Sequence, residues 1–135
     1  MTADRFTVYG LYLSRPVHER LAEYLHEEAG VLDLESYFDP SDSTISTGDP
    51  GAEVTHEIVS TVVVEFATLY DDADFAAADA VDHDAFVLTH VAAESGTVTA
   101  ARERFEAAAT IQETDLRTVQ TAVLEAWLEQ TEDEA

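Results

Sequence analysis

The chain has 135 residues, with 29 Asp and Glu against six basic residues and a formal net charge of −23. A hydrophobic fraction of 46% excludes an acidic disordered chain, which needs low hydrophobicity as well as high charge. The absence of cysteine excludes disulfides, thiolate metal sites and cysteine nucleophiles. No apolar run approaches the roughly 18 residues of a membrane helix. Residues 1–5 lack the basic region and apolar stretch of a signal peptide. The expectation is one cytoplasmic domain over 1–135, with no membrane partner. It divides into a strand-and-helix part (1–81), a C-terminal three-helix unit (82–130) and a frayed acidic tail (131–135).

Residues 5–13, rich in aromatic and branched side chains, predict a strand. A helix follows. Pro16 suits its first position, Gly30 suits the left-handed residue past its end, and Val17, Leu21, Tyr24 and Leu25 keep helical spacing. Residues 31–38 fit either period. Residues 39–52 read as a loop, holding Asp39-Pro40, Gly48-Asp49-Pro50 and Gly51. In 53–70, Ile58, Val59, Val62, Val63, Phe66, Leu69 and Tyr70 share one helical arc, with Val54 and Val64 as misfits, which favours a helix. The β-branched run Val62-Val63-Val64 argues for a strand. Three helices complete the chain. The first runs from a cap at Asp82 or Asp84 to Glu94 and closes at Gly96. The second runs from Thr97 or Thr99 to Ala109, and the third from Asp115 to Gln130, capped by Thr114. The fold class expected is mainly α with an N-terminal β-strand. The alternative is α+β, with 31–38 and 57–69 as strands.

All six basic residues are Arg; there is no Lys. In its acidic excess, missing Lys and abundant Ala, Val and Thr, the composition resembles that of cytoplasmic proteins of extreme halophiles. That resemblance implies a need for high potassium or sodium salt. Self-repulsion at −23 loosens a small domain in dilute buffer, and salt near 1 M shortens the screening length to about 3 Å.

The charge is uneven. Residues 97–130 carry three Arg and six acids, net −3, whereas residues 1–96 carry three Arg and twenty acids, net −17. In this less acidic part, Ser95-Gly96-Thr97-Val98-Thr99-Ala100-Ala101 precedes a helix anchored by Phe105. Thr114-Asp115-Leu116-Arg117-Thr118-Val119 then opens the last helix. Residues 84–130 weakly resemble the helix-turn-helix of small transcription regulators, although the connection from Phe105 to Leu116 is longer than the family's tight turn. The resemblance implies a DNA-binding regulator. Arg117, Thr118 and Thr121 would stand on the solvent side of a recognition helix, and Arg102 and Arg104 would meet phosphates.

Two other readings stand beside it. The tyrosines Tyr9, Tyr12, Tyr24, Tyr37 and Tyr70 lie in the N-terminal half. Core packing with the hydroxyls at the rim accounts for them. An exposed strand at 6–13 would instead serve a non-catalytic protein-interaction module, or a homodimer formed at the strand edge. Glu23-x-x-His26 and Glu53-x-x-His56 have the spacing of carboxylate-bridged metal proteins, but solvated histidines explain them as well. No phosphate-binding glycine loop or nucleophile elbow is present, so no catalytic residue, cofactor or metal ligand is assigned.

Overall fold

A computed structural model describes residues 5–38, 44–46 and 48–133. The chain is mainly helical, with a three-stranded antiparallel sheet. Strand β1 (Arg5–Ser14) runs directly into helix α1 (Arg15–Ala29). Pro16 lies in the first turn of α1. Gly30 ends it at φ 72°, donating its N–H to the carbonyls of Leu25 and His26. A short turn of helix, α2 (Leu34–Tyr37), stands where the sequence allowed a strand over 31–38.

Within the predicted loop lies strand β2 (Thr44–Ser46); residues 39–43 and 47 fall outside the described residues. Helix α3 (Pro50–Val64) starts at Asp49, whose carboxylate accepts from the N–H of Ala52 at 2.9 Å and from the hydroxyl of Tyr37. Gly51 is required here, because a Cβ would run into the Tyr37 ring that Asp49 holds in place. Helix α4 (Phe66–Asp72) follows after Glu65, so 57–69 is helical and the two-strand alternative fails. Thr55, Ile58, Val59, Val62 and Leu69 form the buried stripe, and the misfit Val64 is exposed. Helix α5 (Phe75–Asp79) was not anticipated; Asp74 caps it by accepting from the N–H of Ala77.

The main correction lies in the predicted three-helix unit. Residues 86–93 form strand β3 (Phe86–Ala93), preceded by a 3₁₀ turn at 83–85. Both faces of this segment are apolar, so the two-residue alternation that betrays a half-buried strand is missing. Gly96, expected to close a helix, instead sits in the first turn of α6 (Ser95–Gln112). Helix α7 (Leu116–Asp133) completes the chain and includes 131–133 of the expected frayed tail. Glu113, between α6 and α7, takes the left-handed conformation at φ 53°.

The strand order is β2-β1-β3. Full registry pairs β1 with β3, from Thr7 opposite Ala93 to Ser14 opposite Phe86, and β2 pairs only with Arg5–Thr7. Beyond β2, the free side of β1 meets α7. The Tyr12 N–H donates to Gln120 Oε1 at 2.8 Å and the Ser14 N–H to Thr121 Oγ1 at 3.0 Å; the Thr121 hydroxyl lies 3.2 Å from the Tyr12 carbonyl. On the far side of β3, Thr55 of α3 bonds the N–H and carbonyl of Ala92 at 3.1 and 2.7 Å, and the Glu94 N–H donates to His56 Nδ1. Helical side chains thus take up strand groups that would otherwise template pairing with another chain. The homodimer expected at the β1 edge has no free edge to use between Tyr12 and Ser14. One core cluster gathers side chains from β1, β3 and all the long helices, from Phe6 to Leu128.

Candidate interaction surface

Residues opposite one another in an antiparallel pair point to the same side of the sheet. Tyr9, Leu11 and Leu13 of β1 therefore share a face with Thr89 and Val91 of β3, and all five are buried against the core. On that face the ring nitrogen Nδ1 of His18 lies 2.8 Å from the hydroxyl of Thr89, so both polar groups are satisfied inside.

Phe6, Ser14 and Ala92 lie on the other face and are buried; its open part carries Val8, Gly10 and Tyr12 from β1 and Phe86, Leu88 and His90 from β3. Tyr12 is 46% exposed and Leu88 45%, and the other four are partly exposed. Gly10 lets the two long neighbours settle over the strand, since a Cβ there would stand 3.1 Å from Leu88 Cδ1. At one end Phe6 stacks on His56, with ring centroids 4.7 Å apart and planes 14° from parallel. At the other end the Arg117 guanidinium lies over the Phe86 ring at 5.5 Å and meets the Asp115 carboxylate at 3.1 Å.

An antiparallel sheet with one free face normally alternates apolar inside and polar outside. Here the outer face is also apolar. None of the 29 acidic residues of the chain lies in β1, β2 or β3. Carboxylates begin where the strands stop: Asp82, Asp84, Glu94 and Asp115 are all exposed.

The residues expected at DNA fall elsewhere. Thr118 and Thr121 are 3% and 2% exposed. They do not occupy a solvent side of α7: both are buried, and Thr121 is bonded to β1. From Thr118 to Leu128 every residue of the helix except Glu125 is buried. Arg117 is partly exposed at the rim of the sheet face, Arg102 lies over the Tyr9 ring at 5.6 Å, and Arg104 is exposed on α6. Of the two Glu-x-x-His pairs, Glu23 and His26 are exposed on α1, while the ring of His56 is engaged by Phe6 and Glu94. No group of three or more His, Asp or Glu able to hold a metal ion occurs among the described residues.

Burial pushes the hydroxyls of Tyr9, Tyr24 and Tyr37 above the usual tyrosine range. The Gln120 bond and the Arg102 charge partly offset it at Tyr9, Glu28 and Glu57 add to it at Tyr24, and the Asp49 bond adds to it at Tyr37. Core packing with hydroxyls at the rim holds for Tyr24, Tyr37 and Tyr70, where Tyr37 reaches Asp49 and Tyr70 reaches Gln112. It fails for Tyr12, which stands on the open face.

Sequence reasoning pointed at Tyr12 and Val8 through the aromatic strand but missed Phe86, Leu88 and His90. The readable signal was the composition of Phe86-Val87-Leu88-Thr89-His90-Val91, dense in β-branched and ring side chains. Searches against protein-family models, curated proteins and solved structures each return no match to this chain.

Proposed function

We propose that the protein is a non-catalytic interaction module that docks another polypeptide on the outer face of β1 and β3. One observation carries this reading. A chain with 29 acids keeps them all off its strands, and leaves Tyr12 and Leu88 half exposed on a face whose strands carry no carboxylate. Water contact there costs about 25 cal/mol per Å² of apolar surface, and a partner's apolar side chains relieve that cost. The DNA reading keeps only its arginines, because Thr118 is buried and Thr121 is bonded to β1.

A photoreactive amino acid at position 88, expressed in the native host, tests the proposal. A discrete adduct should form from position 88 and not from position 64, where Val64 is 82% exposed on the helical side. Equal or absent adducts at both positions would overturn it. We infer further that the acidic shell fits the chain to concentrated salt. The midpoint of thermal unfolding should then climb as potassium chloride rises from about 0.1 M towards several molar; a midpoint independent of salt would contradict it.

A further inference from the structure

We propose that the outer edge of β3, from Phe86 to His90, pairs with the same edge of a second copy of this chain, antiparallel and centred on Leu88. The edge offers backbone groups, not the side chains of the outer face, so this pairing is independent of what docks on that face.

The phase of the strand bonding exposes the edge. In an antiparallel pair, residues alternate between bonding the facing strand and turning both backbone groups away from it. The N–H groups of Tyr12 and Ser14 bond α7, so these residues turn away from β3, and their partners Leu88 and Phe86 turn away from β1. Ala92 is in the same phase, and its N–H and carbonyl do reach outwards, to Thr55. His90, between Leu88 and Ala92, therefore turns outwards too. Among the described residues, no hydrogen bond takes up the outward groups of Phe86, Leu88 or His90.

Exposure follows the same division. Val91, Ala92 and Ala93 are buried where α3 closes the edge, whereas Leu88 is 45% exposed and Phe86 and His90 are partly exposed. Natural edges are guarded by charge, proline or a bulge. Phe86-Val87-Leu88-Thr89-His90-Val91 has no Asp, Glu, Lys, Arg or Pro, and its register with β1 runs without a bulge.

Symmetry selects the occupant. The outward groups stand at 86, 88 and 90, evenly about Leu88, between the 3₁₀ turn at 83–85 and the closure at Ala92. A two-fold axis at Leu88 sets that residue opposite its own counterpart and Phe86 opposite His90, so every outward group on both copies gains a partner. The same register lays leucine against leucine and ring against ring on the outer face, which are favourable cross-strand pairs, and brings no carboxylate into the ladder. Beyond the ladder it brings Asp82 of one copy towards Glu94 of the other. Pairing therefore needs concentrated salt, where the screening length is about 3 Å near 1 M. A contact this short belongs to the weak, concentration-dependent class of interfaces.

A chain without cysteine lends itself to a trapping test. Residues in a bonded antiparallel pair stand about 5.5 Å apart at Cα, within reach of a disulfide. Position 12, one strand further in, would lie about 14 Å from its counterpart, out of reach. Leu88→Cys, Tyr12→Cys and Val64→Cys are oxidised at equal concentration in about 1 M potassium chloride. Covalent dimer should form about tenfold faster from position 88 than from 12 or 64. Equal rates at 88 and 12 would mean that faces meet instead of edges, and equal rates at all three would mean random collision; either overturns the pairing. The wild-type chain gives a readout without substitution. Amide exchange at Leu88 and His90 should slow about threefold or more as protein rises from about 10 µM to about 1 mM. Strong protection already in the dilute sample would show an edge closed within the chain and would also overturn the pairing. In the native host, a position 88 adduct with a different polypeptide, beside no trapped dimer, would remove the second copy and leave the interaction reading standing.

Discussion

Helices α6 and α7 are each 18 residues long and close in mean hydropathy, yet they do opposite jobs. Helix α6 buries one narrow stripe, Val98, Ala101, Phe105 and Ala108, and gives the rest to solvent. Helix α7 is enclosed on almost every side by β1, α1, α4, α5 and α6. The difference lies in what the polar side chains are for. On α6, Arg102, Glu103, Arg104 and Glu106 are exposed. On α7, Gln120 and Thr121 complete the backbone bonding of a strand. A polar residue on an amphipathic helix is therefore no proof of a solvent face; it marks water or a neighbouring backbone, and only the tertiary fold says which.

Truncation in the core should separate the two helices most. Leu124→Ala on α7 removes a buried side chain and should cost about 2–5 kcal/mol. Glu103→Ala on α6 should stay within about 0.5 kcal/mol. Denaturant unfolding in concentrated salt measures both, and equal effects would break the contrast. Next come the polar groups of α7. Thr121→Val keeps the shape but strands the Ser14 N–H, and Gln120→Ala strands that of Tyr12; each should cost about 1–3 kcal/mol. The exchange rates of those two amides are the local readout, and unchanged protection would mean that α7 does not seal the strand.

A smaller effect of opposite sign is expected at the joint between the helices. Glu113 holds a positive φ without being glycine, so Glu113→Gly should stabilise by about 0.5–1 kcal/mol. The smallest effect belongs to Glu125, the partly exposed residue within the buried stretch of α7. Burial raises its carboxyl above the usual range, Glu129 and Asp74 push the same way, and Arg20 pulls it back. The folded state then holds its proton more tightly than the unfolded state. Ionisation costs stability at neutral pH, and that cost disappears as pH falls through the raised value towards the ordinary carboxylate range. Glu125→Gln should raise the thermal midpoint slightly at pH 7 and lose its advantage in acid. A lower midpoint at pH 7 would contradict the sign.

The helices that signal themselves locally were legible in the sequence. Pro16 and Gly30 bracket α1, and the stripe from Ile58 to Leu69 marks α3 and α4, although α3 opens at Pro50, inside the stretch read as a loop. The β1 strand was legible from Phe6 to Leu13 for the same reason: local composition decided it. What failed was whatever depended on a distant partner. Strand β3 was read as a helix because its outward residues Phe86, Leu88 and His90 look like inward ones, leaving no period of two to find. Thr121 was read as solvent-facing because its partner, the free side of β1, lies more than a hundred residues earlier in the chain. The apolar outer face that hid β3 is also the feature on which the proposed interaction surface rests.

One comparison bears most directly on the claim that the sheet face carries the function while α7 carries the fold. With a photoreactive residue in place of Tyr12, the yield of the partner adduct in the native host is compared between Leu88→Ser and Arg104→Ala. Loss of the adduct with Leu88→Ser and its retention with Arg104→Ala is the predicted result. Retention with Leu88→Ser and loss with Arg104→Ala would contradict it and return attention to the arginines of α6.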